Sequence, residues 1–445
     1  MTARALDRGF VLPAAGVGLA VGWAAARSPQ LTLVAAAAAV VALLVLLHTE
    51  ALLLALVAAL PWEGALDWPS EKVSVVKLLG VLLCASWALR ALGSRERLRL
   101  PAALVPALLV GATVVLALVV SPDPGAGVLD ALRYALFIVF FFLIVQMART
   151  RSDVRRIIEV FVLSGSAAAV WGVYAFVVLG RERAGGPIDD PNDFAYLLAC
   201  LMPLAGYLVA TQRARRLLWS LCFVALAAAT LATLSRGALV GLGGVVIWGV
   251  ATRRVPLGAV VAGVIAVASI AVLAFAAWGP AIHDRLENKQ QIASSNVESR
   301  RALWTGALRM WADRPVTGVG PGRYAVEADR YVRNDPLAIR DPVVHNTYLQ
   351  AVAETGALGL GAFLVFLAAT WHLLTRASRR ARAEADAEGR QLVTAIQATL
   401  LIAIVSACFL SVELTTPFWL IGALAVVVAG AHGSSTGRPA AAATA

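Results

Sequence analysis

The sequence predicts an all-α fold: a polytopic transmembrane helix bundle with one large polar loop on one side of the membrane. Hydrophobic residues make up 60% of the 445-residue chain, charged residues make up only 15%, and the mean hydropathy is +0.78. A soluble domain carries roughly 25% charged residues. The apolar residues also come in continuous runs, such as 102–120 and 161–179, whose length suits a membrane span of about 20 residues.

Apolar runs bounded by charged or turn-forming residues predict twelve to fourteen spans. They lie near 10–26, 30–46, 50–61, 73–92, 102–120, 129–147, 155–179, 192–211, 217–234, 236–252, 255–278, 345–375, 391–412 and 417–432. Only His48, Thr49 and Glu50 separate the second run from the third, so a re-entrant segment there would reduce the number to twelve. The basic N-terminal stretch lacks a convincing cleavage site, so we expect the first run to be a retained span.

Lys and Arg are enriched in the short loops on one side, which predicts that this side faces the cytoplasm. Clusters lie at 4–8, 90–99, 149–156, 213–216, 253–254 and 376–390, whereas the short loops opposite hold isolated Arg27, Lys72, Arg181, Arg183 and Arg236. Both termini then lie in the cytoplasm, and loop 279–344 lies on the outer side. That loop exceeds 60 residues, so its own basic residues do not upset the assignment.

These boundaries divide the chain into five segments. They are the N-terminal spans (1–120), the central spans (121–278), the outer loop (279–344), the C-terminal spans (345–432) and a cytoplasmic tail (433–445) that we expect to be disordered. The net charge of +11 does not indicate nucleic-acid binding, because the basic clusters lie between apolar runs and not on one soluble face. The four cysteines lie inside apolar runs without C-x-x-C spacing, so neither a disulfide framework nor a zinc site is predicted.

Arg236 has almost no loop to occupy, because it stands in Ser-Arg-Gly-Ala between two apolar runs. A cation at the centre of a bilayer costs about 2.5–3.5 kcal/mol. Arg236 therefore either snorkels from a tight hairpin to the outer headgroups or faces a polar cavity. The glycines that follow it permit close helix contact, and plain packing is the favoured interpretation for them.

The segment from Arg183 to Asn192 joins two spans on the outer side. Asp189, Asp190 and Asp193 could ligate a hard cation, which prefers carboxylate oxygens. Asp, Pro and Asn are equally natural at a turn and helix start, where a side-chain oxygen caps free amides. The turn is the favoured interpretation, and no metal or other cofactor is predicted.

His345 begins the span that follows the large loop, with Tyr348 close behind it at the water–membrane boundary. A lone histidine there is more often a structural residue than a base. Imidazole nevertheless titrates near neutral pH and can accept a hydroxyl proton, so His345 is the best candidate for a general base. Lys77 and Arg133 lie in the outer halves of spans, where a cation needs a counter-anion or a wet cavity.

Several cations converging on one outer, membrane-embedded site indicate a ligand that is both anionic and apolar. Arginine's planar fork suits phosphate particularly well. The residues therefore point to a lipid-linked phosphate or diphosphate.

At these residues the chain resembles the O-antigen ligase and polymerase family of bacterial membrane glycosyltransferases. The shared pattern comprises Arg183, Gly186 and Asn192; Ser235-Arg236-Gly237; the loop segments 300–304, 313–315 and 318–322; and the segment from His345 to Leu360. Each motif is weak alone, and their order and spacing carry the resemblance. It covers about residues 120–430.

The resemblance implies an inverting, metal-independent glycosyl transfer at the periplasmic face of the bacterial inner membrane. The donor would be a glycan on undecaprenyl diphosphate, held among membrane lipids. Arg183 and Arg236 would bind the diphosphate, and His345 would activate the acceptor hydroxyl. Asn192 and Tyr348 are further substrate-binding candidates. Lys77, Arg133 and Arg300 would be second anion contacts or simply satisfied structural charges.

The acceptor stays open at the level of sequence. An O-antigen ligase acting on lipid A–core oligosaccharide is the leading hypothesis. An O-antigen or exopolysaccharide polymerase extending lipid-linked repeat units is the runner-up, and transfer to protein hydroxyls is a third. A lipid-linked glycan transporter would require inverted repeats and interrupted helices, and neither is visible in the sequence. The amphipathic stretch 299–312 of the loop suits a lid.

Overall fold

A computed structural model of the chain describes residues 48–66, 74–93, 98–188, 190–254, 298–332, 342–412 and 415–431, with a few isolated positions between 258 and 272. Within those ranges the chain forms helices, turns and loops and no strand, which confirms the predicted all-α class. The predicted spans 10–26 and 30–46, most of 255–278 and the tail 433–445 lie outside the described residues.

The helices follow the apolar runs closely. They are α1 (Thr49–Ala59), α2 (Val75–Gly93), α3 (Val105–Val120), α4 (Pro124–Met147), α5 (Arg151–Val177), α6 (Pro191–Thr211), α7 (Arg216–Ala232), α8 (Arg236–Ala251), α9 (Tyr324–Tyr331), α10 (Thr347–Ala383), α11 (Ala387–Ser406) and α12 (Thr416–Ala431). Residues 298–313 are also helical, and we call this segment the loop helix. Eight of the described helices are long and apolar enough to cross a membrane, which confirms the polytopic prediction.

The chain divides into two compact units. One comprises Met1–Ala55 and Leu79–Glu96, and the other comprises Leu56–Leu78 and Arg97–Ala445. In the first unit the hydroxyls of Thr49 and Ser86 form a buried hydrogen bond of 2.7 Å. The second unit holds every other feature described below.

Helices α6 and α11 form the centre of the second unit. Helix α6 packs against α5, α7 and α11, while α11 also contacts α8, α10 and α12. Helices α3 and α4 complete the unit on the α10 and α12 side. The central position of α6 explains its nearly continuous apolar sequence, because residues such as Phe194, Leu198 and Leu204 are fully buried.

Basic clusters from different loops share one end of this unit. Arg151, at the start of α5, forms an ion pair with Asp386, and Arg155 pairs with Glu388 at 3.1 Å. The predicted clusters 149–156 and 376–390 therefore do meet on one side, which we call the Arg151 end. The opposite end is called the Arg183 end. Which of them faces the cytoplasm stays a prediction.

Helix α10 is interrupted at Gly356, whose backbone angles are φ 66° and ψ −168°. Residues of the large loop fill the break. Val319 N–H donates to Ala353 O at 2.9 Å, and Ala357 N–H donates to Pro315 O at 2.9 Å. The predicted span 345–375 falls largely within this apolar helix, which is long enough to cross a membrane, and the sequence did not predict the break at Gly356. An apolar run in the sequence indicates a buried or membrane-embedded segment. It does not indicate the backbone conformation at Gly356, which suits glycine and produces the break.

Glu354, immediately before the break, holds the loop from the other side. Its buried carboxylate accepts the backbone N–H groups of Gly322 (2.8 Å) and Tyr324 (3.2 Å), at the start of α9. Gly318, Gly320 and Gly322 all have positive φ angles, of 67°, 115° and 67°. The segment that contains these three glycines and the carboxylate of Glu354 therefore hold the loop against α10 together.

Candidate functional site

Arg183 lies in the loop between α5 and α6, and two hydrogen bonds fix its guanidinium. Nε donates to the carbonyl oxygen of Thr233 at 2.8 Å, and Nη2 donates to Oδ1 of Asn192 at 2.7 Å. Burial lowers the pKa of Arg183, and the nearby Asp190 carboxylate opposes this shift. Since arginine has five N–H donors and always keeps its charge in proteins, these two bonds orient a cation that can serve a further anionic partner.

The spacing of Arg183, Gly186 and Asn192 has a geometric cause. A side chain at Gly186 would overlap the ring of Phe194, which is fully buried on α6. Asp190 caps α6 by accepting the N–H of Asn192 at 2.6 Å. The close approach of Gly186 to Phe194 and the capped start of α6 accompany the return of Asn192 to Arg183.

Arg236 stands next to this loop. Ala184 N–H donates to Ala232 O at 2.9 Å, at the last residue of α7, and Arg183 bonds the next residue, Thr233. Leu234 then takes a positive φ of 56°, and α8 begins directly at Arg236. The turn therefore places Arg236, whose side chain is exposed, beside the loop that carries Arg183.

The C-terminal end of α11 connects Arg236 to His345. On one side Ser406 Oγ donates to Gly237 O at 3.5 Å, and Phe409 packs where a side chain at Gly237 would stand. On the other side Asn346 Nδ2 donates to Cys408 O at 3.1 Å, and Thr347 N–H donates to Ala407 O at 2.9 Å. All three predicted catalytic residues thus lie on neighbouring segments at the Arg183 end.

His345 has a left-handed backbone with φ 51°. Such a conformation is uncommon for a residue other than glycine, and it persists where the surroundings hold it firmly. Asn346 follows as the cap of α10, and its Oδ1 accepts the N–H groups of Tyr348 (3.1 Å) and Leu349 (3.0 Å). The imidazole is therefore carried on a rigidly held turn, as a positioned proton acceptor requires.

The loop helix completes the site from the polar loop. Burial lowers the pKa of Arg300, and Asp190 again opposes the shift, so Asp190 is a counter-charge for both Arg183 and Arg300. One turn further on, Trp304 Nε1 donates to Val344 O at 3.0 Å, directly before His345. The predicted amphipathic stretch 299–312 is thus helical. Its Trp304 contacts the His345 turn, and its Arg300 lies within electrostatic range of Asp190 in the Arg183 loop.

The remaining predicted residues have mainly internal partners. Tyr348 donates its hydroxyl to Ile404 O at 2.8 Å and packs against Phe363. Arg133, which is 63% exposed, pairs with Asp130 in its own helix at 2.8 Å. Lys77 lies in the first turn of α2, where its backbone N–H donates to Ser74 Oγ at 3.3 Å. Of the three weaker cations, Arg300 is the one that shares an electrostatic partner, Asp190, with Arg183.

Sequence reasoning missed three contributors: the shared charge of Asp190, the carbonyl oxygen of Thr233 and the indole of Trp304. Asp190 was assigned only to a turn or a metal. A signal for Trp304 existed, because Arg300 and Trp304 are four residues apart and share a helix face. No sequence pattern marks a backbone carbonyl as an arginine acceptor.

Fold and site together define a multi-pass helical membrane protein with a cationic site beside a histidine at one end of the bundle. Residues 221–364 match the family model described as O-antigen ligase. The match covers about a third of the chain, and over that part the chain is similar to the O-antigen ligase family, in agreement with the motifs. It includes Arg236, Arg300 and His345, whereas Arg183 and Asn192 precede it. No curated protein matches the chain significantly.

Proposed function

We propose that this protein transfers a glycan from undecaprenyl diphosphate to an acceptor hydroxyl at the periplasmic face of the inner membrane, with inversion at the anomeric carbon. The acceptor we favour is lipid A–core oligosaccharide. The observation that carries the proposal is that Arg183, Arg236 and His345 lie on neighbouring segments at one end of the bundle, although 162 positions separate the first from the last.

The two arginines suit the leaving group. When the bond between the anomeric carbon and the phosphate oxygen breaks, negative charge develops on the diphosphate. Fixed cations aimed at that charge stabilise the transition state, and removal of one such interaction typically costs about 10²–10³ in rate. Arg183 is oriented in advance by Asn192 and Thr233, so little reorganisation is needed when the charge develops.

His345 suits the acceptor side. The acceptor hydroxyl oxygen forms the new bond to the anomeric carbon while its proton passes to the imidazole, and the lipid diphosphate leaves with the electron pair of the broken bond. General-base help of this kind contributes roughly 10²–10⁴ in rate. Attack from the face opposite the leaving group requires base and cations to flank the sugar, which neighbouring but separate segments permit.

We propose that the reaction needs no metal ion. In glycosyl transfer a divalent cation would neutralise the diphosphate, and here Arg183, Arg236 and the adjacent Arg300 offer that charge. Asp190 is used as a helix cap and counter-charge. Chelator-treated protein should keep its activity. Loss of activity that magnesium restores would contradict this part of the proposal.

Two other acceptors fit the same donor chemistry. A polymerase would offer the hydroxyl of the next lipid-linked repeat unit, and a protein-directed enzyme would offer a serine or threonine. A transporter for the same lipid is a more distant alternative. The interruption of α10 is the helix feature that a transporter would require, but the large loop's own backbone fills it.

The test is a transfer assay with purified protein in lipid nanodiscs. The protein receives undecaprenyl-diphosphate glycan together with equal amounts of lipid A–core and a second lipid-linked repeat unit. We expect glycosylated lipid A–core as the main product, and His345→Ala should reduce it by at least about 10²-fold. Lengthened lipid-linked glycan instead would identify a polymerase, and consumption of neither acceptor would contradict the proposed function.

A folding control accompanies this assay. His372→Ala removes a histidine from the distant half of α10, and its thermal transition and activity should both match the wild type. His345→Ala should keep the thermal transition and lose activity. Full activity of His345→Ala would remove the base assignment.

A further inference from the structure

Trp304 connects the large loop to the proposed general base. Its indole Nε1 donates to Val344 O at 3.0 Å, across forty positions of sequence. Val344 is completely buried and belongs to the same hydrophobic cluster as Leu303, Ala307 and Met310 of the loop helix. The peptide that enters His345 is therefore anchored on the loop helix.

The peptide that leaves His345 is anchored elsewhere. Thr347 N–H and Asn346 Nδ2 donate to carbonyl oxygens at the end of α11. His345 thus stands between two bodies, the loop core before it and the helix bundle after it, in a positive-φ conformation. A strained turn of this kind keeps its geometry only while both anchors hold.

The same helix face reaches the cation side of the site. Arg300 precedes Trp304 by four residues, about one helical turn, and it lies within electrostatic reach of Asp190. Asp190 caps the helix whose Asn192 orients Arg183. One turn of the loop helix therefore carries Trp304, which bonds to the peptide before His345, and Arg300, which lies within electrostatic reach of the cap of α6.

We propose that Trp304 is a positioning residue for the reaction: its hydrogen bond to Val344 fixes the place of the His345 imidazole relative to Arg183. This inference rests on the proposed function. Trp304 does not touch the reacting atoms and acts through His345. Because misplacement of a reacting group by about 1 Å can cost 10²-fold in rate, loss of this one bond should lower kcat and leave donor binding nearly unchanged.

The experiment compares two matched variants of the full chain in nanodiscs. Trp304→Phe keeps an aromatic ring and removes only the N–H donor. Trp311→Phe makes the same change in the same helix, where the indole donates to Pro315 O at 3.1 Å, away from His345. Both variants are assayed for kcat and for KM of undecaprenyl-diphosphate glycan, and amide hydrogen exchange is measured in peptides covering residues 342–349.

For Trp304→Phe we expect kcat to fall about 10-fold, KM to stay within about twofold, and exchange over 342–349 to become about fivefold faster. Trp311→Phe should resemble the wild type in all three. An unchanged kcat, an unchanged exchange rate, or an effect confined to KM overturns the positioning role. The exchange measurement needs no turnover, so failure of the proposed function and failure of this inference are distinguishable.

Discussion

Asn192 Oδ1 accepts a hydrogen bond of 2.7 Å from Nη2 of Arg183, nine positions earlier in the chain. The bond gives a structural reason for the nine-residue spacing of the two side chains. It also suggests a role for Asn192. The sequence predicts a substrate contact, and the bond leads us to propose that the amide orients the arginine and acts on the substrate through it.

Substitution of Asn192 tests this role. Asn192→Ala removes the acceptor and should raise the KM for lipid-linked donor about 5- to 10-fold, the effect of one lost charge-assisted hydrogen bond. Asn192→Asp retains the acceptor but places a carboxylate beside Arg183, so it should impair donor binding more than alanine does. Steady-state kinetics of both variants provide the measurement. Equal KM values for aspartate and alanine would argue that Asn192 contacts the sugar directly.

Removal of the charge of Asp190 should lower the KM for donor, whereas removal of Asn192 should raise it, because the carboxylate repels the anionic diphosphate. Asp190→Asn keeps a good helix cap while removing the negative charge near Arg183 and Arg300. The KM for donor should fall by roughly fivefold, which corresponds to about 1 kcal/mol, because the carboxylate no longer competes with the diphosphate for the arginines at this partly exposed site. The matched control is Glu182→Gln, an exposed carboxylate of the same loop, which should change KM less. A rise in KM for Asp190→Asn would show that this carboxylate binds substrate.

The break in α10 gives a prediction about stability. In Gly356→Ala a methyl group would overlap the carbonyl oxygen of Val316, and the backbone angles suit glycine almost alone. The free energy of unfolding should fall by about 2 kcal/mol or more. Gly361→Ala, five residues further along the same helix in open space, should be neutral or slightly stabilising. Thermal unfolding in detergent compares the two. A Gly356→Ala protein as stable as Gly361→Ala would show that the loop does not depend on the break.

Hydropathy predicted most of the fold because membrane spans are nearly continuous in sequence. The expected span 192–211 became Pro191–Thr211, and 236–252 became Arg236–Ala251. The hydropathy pattern did not predict the interruption at Gly356, since the φ angle of a glycine cannot be inferred from the apolar run around it. Glu354 was read as part of a motif, and its structural use depends on backbone N–H groups 30 and 32 positions earlier.

The sequence singled out the charged residues of the candidate site and did not indicate the residues that support them. Arg183, Arg236 and His345 stood out because isolated polar groups between apolar runs need a reason. The bond between Trp304 and Val344 joins two points of a loop whose fold the sequence pattern does not specify. Contacts to backbone carbonyls, such as that of Arg183 with Thr233, have no side-chain signature.

We propose above all that Arg183 and Arg236 bind the diphosphate of a lipid-linked glycan. The most direct test is equilibrium binding of undecaprenyl-diphosphate glycan to purified wild-type protein, Arg183→Ala, Arg236→Ala and Arg181→Ala. Arg181 is an exposed arginine of the same loop, so its variant loses the same charge away from the site. We expect a Kd raised at least about 10-fold for Arg183→Ala and for Arg236→Ala, and a Kd within about twofold of wild type for Arg181→Ala. Equal weakening by all three, or by none, would contradict the proposal.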